Sequence, residues 1–520
     1  MNMLDQPGLF YTDVIRINAD LFKGKAAVVC GEERLLWGDL NRRVNQVANA
    51  LLGLGLQKGD KVCLLMDSSI PMFELIWGTI KAGGVTVPLN VMMAQDALAG
   101  MVNNSDARFI FADGNTAAQV DAVRGGLSKI EADGFFATGP ARSGWRDAAA
   151  LVDQAAGSEP PVRLAMSDSM NIIYSSGSTG VPKGIEHSHF SRHLYSVGFG
   201  PGLRMDRYSV AICTTPLYTN GTWITMLPAV YWGGTTVLMP KFSAKAFLEA
   251  VQRERCTHVF MVPTQYIVIL ESGLVGQYDV SSMKSLLSGG QAISSKTFAG
   301  LEEQFPRADI FECYGCTEGF VTLCQPEDRK LRGKTGSVGL PIFAGETVVI
   351  GDDDTILPRG EVGEICGWGP NLMKGYYNNP KITDAASWRH ADGRVFFRSG
   401  DLGRMDEDGF VYVVGRVKDM IKSGGINVFA SDIEEVFMRH PDVVEAAAIG
   451  IPHEKWVETP ILLAIMREGS ATSDAALMEW GNAGLGKWQR VSRVEFRAEF
   501  PRTTHDKVLK RALRDPYWKK

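Results

Sequence analysis

The sequence predicts an α/β protein with a large N-terminal domain and a small α/β domain after it, and three observations carry that expectation. At 520 residues the chain exceeds what one hydrophobic core usually supports. Its N-terminal part alternates short apolar runs with longer segments of helical periodicity, the βαβ rhythm. Its composition, 45% hydrophobic and 22% charged with 56 glycines, suits a globular chain with many strand-to-helix turns, not a fibrous or disordered one.

Along the chain, strands are expected at 26–30 and 61–66 and helices at 37–54 and 71–82. Gly83-Gly84 closes the second helix, and residues 85–90 open another buried strand. Ser158-Glu159-Pro160-Pro161 is the loop expected to end the first half of the large domain near residue 160. The apolar runs 170–174 and 211–214 read as short buried strands, and 216–223 as a turn into a helix. Residues 286–292 read as a strand ending in a glycine turn, and 410–414 as a strand that stops at Gly415-Arg416. Further on, 431–439 predicts a helix with Ser431 as N-cap and Glu434 completing a capping box. Residues 443–451 and 460–467 predict strands, so the second domain is a small α/β unit.

A net charge of −5 gives no electrostatic case for nucleic acid or an anionic membrane as a partner. Eight cysteines without framework spacing point to reduced thiols. Cys313 and Cys316 form a C-x-x-C, but no second pair exists to complete a zinc site. His187, His189 and His193 have only Glu186 beside them and are expected as solvated loop or helix side chains, not metal ligands. The N-terminus lacks a cationic start followed by an apolar core, no apolar run is long enough to span a bilayer, and Tyr517-Trp518-Lys519-Lys520 is not a peroxisomal ending. A cytoplasmic location is the resulting expectation.

The most informative stretch is Tyr174-Ser175-Ser176-Gly177-Ser178-Thr179-Gly180-Val181-Pro182-Lys183-Gly184. Its small residues let backbone N–H groups approach an anion, its hydroxyls add donors, and Lys183 supplies a compact positive charge. It follows a buried strand, and open α/β sheets place ligands at the carboxyl ends of strands. The same residue types also build an ordinary polar hairpin. A Walker A loop is disfavoured, because Pro182 and Gly184 flank Lys183 where that pattern needs Gly before the lysine and Ser or Thr after it.

This string closely resembles the Y-[TS]-S-G-[TS]-T-G-x-P-K-G signature of the adenylate-forming (ANL) superfamily, which comprises acyl- and aryl-CoA ligases, peptide-synthetase adenylation domains and luciferases. Further stretches extend the resemblance, in the family's order, from about Trp37 to Lys510. Leu286-Leu287-Ser288-Gly289-Gly290-Gln291-Ala292 resembles the adenine-side turn, where a flat ring can lie against backbone. Glu312-Cys313-Tyr314-Gly315-Cys316-Thr317-Glu318-Gly319 matches the family's Y-G-x-T-E. The resemblance implies that Tyr314 stacks on adenine, Glu312 lies near its amino edge and Thr317 meets the phosphate. It also implies that Glu318, with Thr179, holds Mg²⁺, a hard cation that takes one or two carboxylates together with phosphate oxygens.

Phe397-Arg398-Ser399-Gly400-Asp401-Leu402-Gly403 matches another block, in which Asp401 accepts the ribose hydroxyls, although Asp in such a turn is also a common turn-former. Residues 415–428 match the hinge block and set the expected domains at 1–415 and 416–520. There the resemblance assigns Arg416 to the nucleotide, Lys418 to the pivot, and Lys422, Ser423, Gly424 and Gly425 to the hinge and thiol tunnel. Pro501-Arg502-Thr503-Thr504-His505-Asp506-Lys507 resembles P-R-T-x-x-G-K and puts the catalytic lysine at Lys507, with Asp506 replacing the usual glycine. A solvated basic tail is the alternative for that segment, since Lys510, Arg511, Arg514, Lys519 and Lys520 follow.

The family's acyl pocket falls on Tyr218, Thr219, Asn220, Trp223 and Gln291, a stretch that also reads as ordinary core. It holds no carboxylate to bind an amino group, which disfavours an amino-acid substrate. The resemblance therefore implies an ANL-type fold, a large multi-sheet α/β N-terminal domain holding Mg-ATP and a carboxylic acid, with a mobile lid carrying Lys507. The implied reaction forms an acyl-adenylate and then transfers the acyl group to CoA as co-substrate. A carrier-protein phosphopantetheine as acceptor and a nucleotide-binding regulator with a decayed site are the alternatives.

Overall fold

The computed structural model describes residues 10–175, 182–343, 345–423, 426–502 and 508–518. Two mainly parallel sheets form the centre of the large N-terminal domain. The first has nine strands among the described residues. In spatial order they are Leu340–Pro341, Val321–Cys324, Asp309–Gly315, Ser285–Gly289, His258–Met261, Val210–Cys213, Thr235–Leu238, Ala26–Cys30 and Glu33–Leu36. The second has eight, in the order Gly375–Tyr376, Lys183–Ser188, Ser169–Ser175, Val85–Pro88, Lys61–Leu65, Ala107–Ala112, Phe135–Ala137 and Arg146–Asp147.

Both sheets are covered on both faces, which is why their strands read as continuous apolar runs and not as alternating ones. Successive side chains of one strand enter different cores. Val28 faces the layer between the sheets, and Val29 faces an outer layer with Phe247, Val251 and Leu301. In the second sheet Leu64 joins the middle layer, while Cys63 and Leu65 join the opposite outer one with Leu98, Val102 and Val120. The middle layer contains helices Trp37–Gly53, Ile70–Lys81 and Asn220–Tyr231. The last two are buried around most of their circumference, as helices with packed structure on all sides must be. Ser69 caps Ile70–Lys81 by accepting the Met72 N–H at 3.3 Å, and Pro71 sits in the first turn, where no donor is lost.

A third, antiparallel sheet contains Glu346–Ile350, Gly363–Trp368, Val395–Met405 and Ser387–Arg389, with Val411–Arg416 paired to Val395–Met405. The chain then enters the smaller C-terminal domain. Its five-stranded sheet of described residues is built on the hairpin Val443–His453/Val457–Met466 and packs on a core that includes Ile433, Phe437, Leu462 and Leu477. The strands expected at 443–451 and 460–467 are therefore longer than the sequence suggested, because each continues pairing to His453↔Val457.

The capping box expected at Ser431 does not form. The helix is Ala430–Met438, preceded by Phe429, which makes no side-chain cap. Ser431 instead donates from Oγ to the Val414 carbonyl at 2.5 Å. Glu434 accepts the Ala448 N–H at 2.7 Å and pairs with Lys510 at 2.6 Å. Both side chains are taken by tertiary partners, which outcompete the local cap.

Candidate active site

Ser175 ends one strand, Lys183 begins the next, and the two are Cα partners across an antiparallel ladder. The strands that flank the phosphate-type stretch thus pair antiparallel, and the first of them runs parallel to Val85–Pro88. Ser176, Gly177, Ser178, Thr179 and Gly180 lie outside the described residues, as do Gly424, Gly425 and Lys507.

Lys183 Nζ lies 5.1 Å over the ring of Tyr376, and the Tyr376 hydroxyl donates to Glu318 Oε1 at 2.6 Å. Backbone bonds hold this crosspiece. Tyr377 N–H donates to Gly184 O at 2.7 Å, Lys374 N–H to Glu186 O at 2.8 Å, and Met373 N–H to Glu318 O at 2.7 Å. Residues 373–377 therefore stitch the strand leaving the phosphate stretch to the Thr317–Glu318 turn. Gly319 closes that turn at φ +110°, where an added Cβ would meet Asn371 O at 2.2 Å, so only glycine fits. Sequence reasoning missed Tyr376. The only signal was Gly375-Tyr376-Tyr377, and aromatic residues after a glycine read as core.

Asp401 gathers the nucleotide-side residues. It lies opposite Arg416 in the ladder between Val395–Met405 and Val411–Arg416, so strand register alone brings the two together. Asp401 Oδ1 pairs with Arg416 Nε at 3.0 Å, and Oδ2 accepts from the Tyr314 hydroxyl at 2.8 Å. Each carboxylate oxygen has a second lone pair, so both retain capacity for a further hydroxyl donor. Glu312, two residues before Tyr314, is buried. Burial pushes its carboxyl up to about 7, against the Arg329 guanidinium 3.6 Å away. Gly289 ends its strand where a Cβ would meet Cys313 Sγ at 2.6 Å, and Gly290 turns at φ +88° towards half-buried Gln291 and exposed Ala292. Gly315 is exposed at the end of its strand and Thr317 half-buried in the turn.

At the expected acyl pocket, Tyr218 is buried, and desolvation pushes its hydroxyl up to about 12. The Thr219 hydroxyl donates to Pro216 O at 2.8 Å. Asn220 opens the helix Asn220–Tyr231, and its Oδ1 accepts from Arg192 Nη1 at 2.8 Å. Trp223 is fully buried, donates from its indole to Leu217 O at 2.9 Å and offers a ring face to Arg192. Trp223 thus combines a core position with contact to a polar cluster, a mixture that the residue string did not reveal.

The histidines expected to be solvated are not. His187 and His189 are 0% and 2% exposed, and His193 is half-buried. His187 sits in an interior strand of the second sheet, which removes it from water. Among the described residues no group of three or more His, Cys, Asp or Glu could hold a metal ion. All eight cysteines are free thiols.

In the smaller domain the Lys418 carbonyl accepts from Arg514 Nη1 at 3.0 Å, and the Lys422 N–H donates to Glu458 Oε2 at 3.3 Å. Ser423 is buried and lies opposite Ile426 in its hairpin. The bridge Arg502↔Val508 flanks the segment of Lys507. Polar contacts with the large domain run from Ser295 Oγ to Glu435 at 2.9 Å, from Lys296 Nζ to the carbonyls of Pro441 at 3.3 Å and Val443 at 3.4 Å, and from Arg467 to Glu271 at 3.6 Å.

Known proteins share this architecture. A feruloyl-CoA synthase of Amycolatopsis sp is 32% identical over 94% of this chain and 95% of its own length. The long-chain-fatty-acid–CoA ligase FadD13 of Mycobacterium tuberculosis is 30% identical over 93% of each chain. The crystal structure of ATP-bound MatB from Rhodopseudomonas palustris matches with a TM-score of 0.87 at 27% identity, covering 98% of this chain and 99% of that one. Residues 15–377 match the AMP-binding enzyme family model and residues 432–507 its C-terminal domain, and the chain belongs to the AMP-binding enzyme family.

Proposed function

We propose that this protein is an ATP-dependent, AMP-forming acyl- or aryl-CoA ligase that joins a carboxylic acid to CoA through an acyl-adenylate. The observation that carries the reading is the convergence on Asp401 of Tyr314, 87 residues away in sequence, and Arg416. Beside this cluster Tyr376 draws Glu318 towards the strand that begins with Lys183.

In this reading Tyr314 and the Gly289–Ala292 turn receive the adenine, Asp401 and Arg416 the ribose, and the 175–183 hairpin the β- and γ-phosphates. Tyr218, Asn220 and Gln291 face the acid, and Thr219 and Trp223 support them. A carboxylate and ATP repel each other, so positive charge must screen them and stabilise the charge developing at the α-phosphate. Lys183 and Lys507 supply that charge. The hairpin keeps pyrophosphate in line for departure, a positioning role.

Glu318 is half-buried and belongs to no group of three or more possible metal ligands among the described residues, which fits Mg²⁺, an ion held mostly by phosphate oxygens and water and not by a protein cage. When bound by Glu318 and Thr179, Mg²⁺ would neutralise phosphate charge. Domains 1–415 and 416–520 then exchange partners by rotation near Lys418, bringing Lys422 to Gly425 to the thiol path for the second half-reaction. The buried hydrophobic clusters of the smaller domain hold no residue of the large one, which supports such movement.

The test is pyrophosphate release over a panel of aromatic and aliphatic acids, with CoA as the only thiol and thioester as the second readout. Thioester from CoA alone is the expected result. Pyrophosphate release without thioester would point to a carrier protein as acceptor, and no release with any acid would overturn the reading.

A further inference from the structure

Behind the candidate site lies a buried cation without an acid. Arg192, on helix His189–Gly202, is completely buried, and among the described residues no carboxylate pairs with it. Neutral groups hold its guanidinium. Nε donates to Asn171 Oδ1 at 2.8 Å, Nη1 to Asn220 Oδ1 at 2.8 Å and Nη2 to His187 Nδ1 at 3.2 Å. The rings of Tyr195 and Trp223 lie 4.9 and 5.1 Å from its Cζ. Burying a charge this way is costly unless each donor is used.

The three acceptors belong to three parts of the site. Asn171 lies on the strand entering the phosphate hairpin, His187 is its cross-strand partner on the strand leaving it, and Asn220 opens the acyl-pocket helix. A guanidinium only donates, so His187 Nδ1 must present its lone pair and the ring proton must sit on Nε2. Burial and the Arg192 charge both hold this imidazole neutral, far below its ordinary range. His187 Nε2 is buried and makes no hydrogen bond of normal geometry, although the Thr317 and Ile185 backbones lie close enough to favour the charged ring. A buried donor without a well-formed partner is costly, so its place beside the Thr317–Glu318 turn calls for an explanation.

We propose that His187 Nε2–H is a poised donor for the Thr317 carbonyl, engaged when bound nucleotide draws the Thr317–Glu318 turn inward, and that Arg192 is the positioning residue that fixes the ring in the tautomer able to do this. The inference rests on the nucleotide role given above to Thr317 and Glu318. His187 touches no substrate; it acts through the turn.

The test compares His187→Gln, whose amide nitrogen replaces Nε2–H, with His187→Asn, whose amide falls near Nδ1. Adenylation and thiolation of supplied acyl-adenylate are measured separately. His187→Asn should lower the adenylation rate about 10- to 100-fold with the KM for ATP changed less than about threefold, and His187→Gln should recover most of the loss. Arg192→Lys keeps the charge but loses the planar fork that reaches acceptors on three separate segments, and should behave like His187→Asn. Thiolation should survive in all three. Equal rates for the Gln and Asn variants, or equal loss of both half-reactions, would overturn the proposal. Side-chain nitrogen NMR of the wild-type protein keeps the question open to test if the variants unfold: the His187 resonance should report the Nε2–H tautomer and shift on ATP binding, and an unshifted resonance also overturns it. A wild-type protein that adenylates no acid would instead sink the ligase reading.

Discussion

Glu312 shows how much a single side chain can owe to its surroundings. Its carboxyl, pushed up to about 7 from an ordinary 4.5 by burial, binds its proton more tightly in the folded chain than in the unfolded one. Stability must then fall as pH rises between those two values and level off above them. The full shift corresponds to at most about 3 kcal/mol. Glu312→Gln should abolish this slope, so the difference in denaturant stability between the variant and the wild type should grow from about pH 4.5 to 7 and stay flat beyond. A pH-independent difference would remove Glu312 as its source. Tyr376 is a second residue whose neighbours define it, because it gives one hydrogen bond to a carboxylate and a ring face to Lys183. Tyr376→Phe removes only the hydroxyl. A hydrogen bond to a charged group contributes about 1.5–3 kcal/mol, so adenylation should slow about 10-fold or more and need more Mg²⁺ for half-maximal rate, while thiolation is unchanged. Unaltered adenylation would show that Glu318 orients without help.

The helix Asn220–Tyr231 illustrates what an element adds. Its near-complete burial follows from its place in the middle layer, between two sheets, and its first turn has no slack. A Cβ on Gly221 would lie 2.3 Å from Phe260 Cε1. Gly221→Ala should therefore cost about 1–3 kcal/mol by overpacking, lowering the thermal midpoint. Because the same turn carries Asn220, the KM for the acid should rise while that for ATP holds. Equal changes in both would mean that the helix and the nucleotide site move as one body. The helix Ala430–Met438 shows the limit of local signals. Ser431 and Glu434 have the spacing of a capping box, yet Val414, Ala448 and Lys510 claim their side chains. Spacing records what a side chain could do locally, and packing decides which partner it takes.

On the scale of the whole molecule, the proposed division of labour places Lys507 on the small domain and the nucleotide residues on the large one. Lys507→Ala should abolish adenylate formation while thiolation of supplied acyl-adenylate largely survives, read by rapid quench of each half-reaction, and equal loss of both would refute the division. The sequence by itself determined the α/β class, the early strands and helices nearly to the residue, and the family, because apolar runs of strand length and contiguous motifs are local properties. It also placed Asp401 and Arg416 in separate motifs, but only the ladder register put them face to face. The roles of Tyr376 and Arg192 and the burial of His187 were not legible in the string, since each draws its meaning from partners on other elements: Glu318 for Tyr376, Asn171 and Asn220 for Arg192, and Arg192 for His187. Hydrogen bonds and burial across long sequence separations depend on how sheets and helices stack, and the tertiary structure alone decided those.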